Sequence, residues 1–272
     1  MSDTENFSVL MSVYNKESSI NLRQALNSIW MDQHLRPDQI VLVKDGMLGD
    51  ELNDVIIYFS KIIPCLDVVS LPSNMGLAYA LNEGLKCCKY QLVARMDSDD
   101  ISLPTRFAEQ IAYMSSNKNI AVLGSQVDEY DMLMENKVGT RVVPIKHEDI
   151  VRFAKRRNPI SHPSAVFRKE IILSVGGYPL FERAQDFALW SIMLTRGHMF
   201  HNSPRVLVNM RTGDGMMNRR GYEYLKNELR LLNFQKEIGL LSYFDFICNA
   251  MTKCIVRLAP KRIKKLLYSK FR

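Results

Sequence analysis

Cysteine is scarce in this 272-residue chain. The five present are Cys65, Cys87, Cys88, Cys248 and Cys254. Their odd number, wide gaps and one adjacent pair match neither a disulfide framework nor a zinc site, so reduced, buried thiols in a cytosolic protein are expected. No apolar run approaches the roughly 18 residues of a membrane-spanning helix. Ser2 to Asn6 is polar and acidic and no cleavable apolar segment follows, which argues against a signal peptide. Repeats, low-complexity linkers and nucleic-acid-binding modules are absent, so no nucleic-acid partner is expected. Acidic residues run out near the C-terminus. From Tyr243 to Arg272 eight basic residues stand against Asp245 alone, which places the whole net charge of +7 there. The rest is a neutral globule, long enough to bury a full core.

What is present is alternation. Phe7–Val13, Gln39–Val43, Leu66–Leu71 and Tyr90–Met96 read as strands. Helical stretches follow them, ending near Met31, near Ile62, near Cys88 and at Asn117. Ile120–Val127 is a further strand, Asp128–Pro163 is loose and polar, and Val206–Met210 is a late short strand. Such alternation predicts an α/β fold, a mostly parallel sheet flanked by helices. Ligands bind such sheets at the carboxyl ends of the strands. Asn15, Asp45, Asn74 and Asp97 each follow a predicted strand, so four polar side chains are expected along one edge.

Asp97-Ser98-Asp99-Asp100 follows the fourth strand. Carboxylates two residues apart in extended or turning chain reach one divalent cation together, and Mg2+ or Mn2+ accepts such oxygen ligands while keeping phosphate oxygens in its shell. An ion there neutralises charge on a departing diphosphate. The competing interpretation is a solvated acidic turn capping the next helix. Asp186 likewise has two interpretations: a base for an acceptor hydroxyl, or a residue stabilised by the start of an apolar helix.

Together these segments resemble the family-2 inverting glycosyltransferases of the GT-A fold, closest to the bacterial subgroup that builds O-antigen and capsule repeat units. The resemblance is carried by Ser8–Asn15, Leu42–Gly46, Asn74–Leu77 with Ala80–Gly84, Arg95–Asp100, Asn158–Ser164, Gly176–Tyr178, Gln185–Trp190 and Arg211–Gly213 with Arg219–Gly221. It spans about residues 6 to 222 and implies a catalytic domain, 1–222, with a nucleotide-sugar half (6–127) and an acceptor half (128–222). It also implies a UDP-sugar donor, a divalent metal (Mn2+ or Mg2+) and a lipid-diphosphate-linked acceptor sugar. Its pattern puts Tyr14, Asn15, Asp45, Asn74, Gly76, Arg95, Asp97 and Asp99 at the nucleotide sugar, Asp97 and Asp99 at the metal, and makes Asp186 the catalytic base. His162 would face the acceptor or pyrophosphate, or serve as a structural hydrogen-bonder. Arg211, Arg219 and Arg220 would clamp a pyrophosphate or form a solvated basic surface. Lys44, Leu81, Gln185 and Ala188 depart from the residues many relatives carry. A sugar nucleotidyltransferase would show a glycine- and lysine-rich loop after the first strand, where Tyr14–Ser18 stands instead. A non-catalytic scaffold fits poorly with intact Asp97, Asp99 and Asp186.

Residues 223–272 are expected to form a basic amphipathic helical tail. Ile247, Met251, Ile255 and Leu258 recur at helical spacing, with Lys253, Arg257 and Lys261 off the stripe. Such a tail suits an anionic membrane surface, or packs on the domain with its basic face in water. The first alternative places the protein peripherally on the cytoplasmic face of a bacterial inner membrane.

Overall fold

The structure, a computed structural model, describes residues 5–213 and 222–258. Four parallel strands form one half of a nine-stranded sheet: β1 (Phe7–Val13), β2 (Gln39–Lys44), β3 (Leu66–Ser70) and β4 (Leu92–Asp97), in the order β3-β2-β1-β4. All seven residues of β1 are buried, as expected for a strand covered on both faces. Alternation sorts its side chains. Val9 and Met11 pack with α1 (Ser19–Trp30) and α2 (Asp50–Ile62), while Leu10 packs with α3 (Leu77–Cys87) on the opposite face.

Beyond β4 the expected sheet of parallel strands flanked by helices continues with both parallel and antiparallel pairs. The three-residue β8 (Val166–Arg168) lies antiparallel between β4 and β6 (Ile120–Tyr130). The long β9 (Met199–Arg211) runs parallel to β6, and β5 (Ile101–Ser102) pairs antiparallel with β9. A hairpin strand, β7 (Lys137–Arg141), extends β6. Helices α4 (Arg106–Ser116), α5 (His147–Ala154), α6 (Lys169–Ser174) and α7 (Gln185–Thr195) complete the layers. Trp190 of α7 is fully buried against Phe167 and Phe200.

Two further helices, α8 (Tyr222–Glu237) and α9 (Tyr243–Leu258), pack against each other, and α8 rests on α7 through Gln235 Nε2, which donates to Ser191 Oγ at 2.9 Å. Among the described residues no helix is long and apolar enough to cross a membrane. The five thiols are free, but only Cys88 is fully buried. Cys87 and Cys248 are exposed, because each lies on the side of its helix turned away from the core.

Candidate active site

Register brings the strand ends together. Ser12 pairs with Asp97 and Val13 with Lys44, so the residues just beyond β1, β2 and β4 emerge side by side. Asn15 Oδ1 accepts the Gly49 N–H at 2.8 Å, tying the β1 turn to the start of α2. Asp45 is buried, and its carboxylate accepts the N–H groups of Met75 (2.7 Å) and Gly76 (3.1 Å). It therefore braces the β3–α3 loop from inside. Gly46, at φ +89, permits this. A Cβ there would lie 2.6 Å from the Asn74 nitrogen, so any side chain would force the two turns apart. Tyr14, Asn15 and Asn74 form an exposed rim above. Lys44 turns aside to donate to Asn53 Oδ1 at 2.7 Å.

Asp97, Asp99 and Asp100 offer carboxylate oxygens within 4.8 Å of one another. Burial, then the Asp97 charge and then Glu17, push the Asp99 carboxyl up to about 7. Burial and the same two neighbouring aspartates push Asp100 far above the ordinary carboxylate range. Its Oδ1 accepts the Arg211 N–H at 2.8 Å, whereas its buried Oδ2 has no partner among the described residues. Oxygen-only donors, mutual repulsion and an orphaned carboxylate oxygen fit a hard divalent cation.

Basic side chains underlie this cluster rather than face outward. Arg95, expected at the nucleotide, is 1% exposed and pairs with Asp97, so it reaches the ligand face only through that carboxylate. Burial, with Arg95 adding to it, lowers the Arg106 guanidinium to about 9. This side chain donates to the Arg95 carbonyl at 2.7 Å and to Gln110 Oε1 at 2.9 Å. Arg211, expected as a pyrophosphate clamp, has its donors engaged by the carbonyls of Asp99 and Met132 and by Gln24 Oε1. It seats the cluster from behind. Arg219 and Arg220 lie outside the described residues.

Asp186 occupies the first turn of α7. The N-cap position is Ala184, in left-handed conformation at φ +58, so Asp186 is not the capping residue. Burial raises its carboxyl, while the Phe187 N–H, Asn158 and the Arg141 charge pull the other way and Asp97 adds to the rise. Asn158 Nδ2 donates to Asp186 Oδ2 at 2.6 Å, and Arg141 holds the Asn158 carbonyl at 3.2 Å. His162 sits against the rings of Tyr178 and Trp190. It is 8% exposed, lies 3.1 Å from the Tyr178 hydroxyl by Nε2 and packs edge-on to Trp190. Burial, then Arg95, keeps it neutral. Glu17, Gln24, Arg106 and Arg141 were not singled out from sequence. Asn158 stood in a quoted segment without a role, and Glu17 sits two residues beyond Asn15, the one local signal available.

The fold is that of the GT-A transferases. The fold matches that of S. aureus TarS 1–349 in complex with UDP-GlcNAc, at 16% identity and TM-score 0.66, over 92% of this chain and 72% of that one. It also matches the mannosyltransferase PcManGT from Pyrobaculum calidifontis in complex with GDP-Man and Mn2+, at 15% identity and TM-score 0.64, over 99% of this chain and 80% of that one. At these identities the likeness is one of fold. Sequence carries it further: residues 8–176 match the Glycosyl transferase family 2 profile, and the chain belongs to that family. It is 38% identical to the amylovoran biosynthesis glycosyltransferase AmsE of Erwinia amylovora, over 98% of this chain and 99% of that protein. It is 36% identical to the UDP-Gal:alpha-D-GlcNAc-diphosphoundecaprenol beta-1,3-galactosyltransferase of Escherichia coli, over 98% of this chain and 97% of that protein.

Proposed function

We propose that the chain transfers glucose, galactose or a related sugar from a UDP-sugar to a lipid-diphosphate-linked acceptor sugar such as GlcNAc-diphosphoundecaprenol. The transfer inverts the anomeric centre, forms a β linkage and serves O-antigen or related surface-polysaccharide synthesis. Near-full-length similarity to the two relatives above supports the substrate classes. The observation that carries the chemistry is the pairing, on one face, of a three-aspartate cluster with a separately held buried carboxylate at Asp186.

Residues 6–127 take the nucleotide. Tyr14, Asn15 and Asn74 form the rim around the base, and Asp45 and Gly76 shape the loop beneath it. Arg95 positions Asp97. Asp97 and Asp99 would hold Mn2+ or Mg2+, which supplies charge neutralisation to the departing diphosphate. Residues 128–222 take the acceptor. Asp186 accepts the proton of the acceptor hydroxyl as its oxygen bonds to the anomeric carbon, and the bond from that carbon to the diphosphate breaks on the opposite side. Asn158 keeps the carboxylate aimed and Arg141 keeps Asn158 in place. His162 stays neutral and buttresses Tyr178. The acceptor's lipid places the protein peripherally on the cytoplasmic face of a bacterial inner membrane, with residues 223–272 as the contact.

The test is transfer from a panel of UDP-sugars to a synthetic GlcNAc-diphospholipid, with manganese and with chelator. One UDP-sugar should dominate and chelator should abolish turnover. Full activity in chelator would overturn the metal assignment, and absence of transfer from every UDP-sugar would overturn the donor class.

A further inference from the structure

Helix α9 is mounted with its apolar side outward. Successive residues turn by about 100° around a helix, so Phe244, Ile247, Met251 and Ile255 share one sector while Asn249, Lys253 and Arg257 fall in the opposite one. The polar sector faces the protein. Lys253 Nζ and Arg257 Nε reach Glu228 of α8 at 3.0 and 2.8 Å. Arg257 also lies over the Tyr224 ring at 4.6 Å, and Asn249 Nδ2 donates to the Lys155 carbonyl at 2.8 Å. The outward sector is exposed: Phe244 75%, Met251 59%, Ile255 62%, with Tyr243 at 71% beside it. A surface helix of a water-soluble domain has the reverse arrangement.

Lys253 and Arg257, two of the cations that sequence alone offers to lipid, are thus used as rivets. Further basic residues come next in the sequence: residues 259–272 carry six Lys or Arg and no acid. An apolar, aromatic-bearing ridge followed in sequence by a cationic stretch complements an anionic headgroup layer over an acyl core.

We propose that the ridge formed by Phe244, Ile247, Met251 and Ile255 inserts into the interface of an anionic bilayer, and that Lys253 and Arg257 orient it by pairing with Glu228 instead of touching lipid. This deepens the peripheral-membrane assignment above and rests on it. Because α8 links α9 to α7, the same contact sets the orientation of Asp186 toward the surface that carries the acceptor.

The test uses the full chain, vesicles of phosphatidylethanolamine with phosphatidylglycerol, and light scattering for mass in solution. Phe244→Glu with Met251→Glu should lower vesicle partitioning by at least ~10-fold. Mass in solution, and transfer to a short-chain, water-soluble diphosphate-linked acceptor, should be unchanged. In the otherwise native chain, Phe244→Trp should add blue-shifted emission on vesicles. Vesicle binding equal to the parent in the double variant overturns the proposal. So does a dimer in solution that the double variant splits, with no vesicle binding by the parent. Ridge-dependent binding without any transfer to the lipid-linked acceptor supports the ridge and overturns the acceptor assignment instead.

Discussion

Two acidic sites lie near enough for Asp97 to act on Asp186, and they are built in opposite ways. Asp97, Asp99 and Asp100 crowd within 4.8 Å, and burial with mutual repulsion raises the last two. Asp186 stands apart, raised chiefly by burial and drawn back by the Phe187 N–H and by Asn158. Repulsion among several carboxylates is relieved by a cation. One buried carboxylate with a neutral amide beside it is suited to taking a single proton. Similar side chains therefore acquire different chemistry from the number of like charges around them.

Substitutions separate the two sites. Asp186→Asn should lower kcat by about 10²–10⁴-fold while leaving Mn2+-dependent thermal stabilisation by UDP intact. Loss of both would show that the sites are not separable. Asp99→Ala should abolish the Mn2+-dependent UDP stabilisation and reduce transfer by about 10²–10³-fold, measured at saturating donor. A smaller effect is expected from Asn158→Ala, about tenfold in kcat for one charge-assisted hydrogen bond. Its pH profile carries the sign. The base works deprotonated, so activity falls as pH drops through its raised pKa. Removing a group that lowers that pKa moves the acid limb to higher pH, and an unmoved limb would reduce Asn158 to a packing residue.

A separate effect is on stability. Asp99, at about 7 in the folded metal-free protein, holds its proton more tightly than in the unfolded chain. Its ionisation therefore destabilises the fold increasingly as pH rises from the ordinary carboxylate range through 7. Metal-free Asp99→Asn should melt above the parent at pH 8, with the difference shrinking toward pH 5 in a thermal-melt series. A constant difference would mean that Asp99 acts through packing alone.

The contrast in legibility follows the same division. β1, β2 and β4 are visible because strands covered on both faces are rich in apolar residues, as in Phe7–Val13, and β3 at the sheet edge is visible from its short apolar stretch between turns. β5, of two residues, and β8, of three, exist only through pairing with distant strands, so their own residues carry no pattern. Asn15, Asp45 and Asp97 were legible because each ends such a run. Gln24 and Arg141 were not, since each gains its place from a partner remote in sequence, and Arg106 was not, since its partners are a backbone carbonyl and a neutral amide that carry no sequence pattern. The proline-rich loop around His162 was visible, but its enclosure by Tyr178 and Trp190 depends on tertiary packing. Arg211 was flagged for its charge, and the structure spends that charge beneath the cluster.

Arg211 closes β9, and through its N–H and guanidinium it secures Asp100 and Asp99, more than a hundred residues earlier in the chain. During synthesis the acidic turn therefore emerges long before the residue that seats it. A growing chain that ends short of 211 holds the aspartates without their brace. If the cluster grips the sugar nucleotide as proposed, that competence is acquired late, and an unfinished polypeptide has little means of squandering activated sugar.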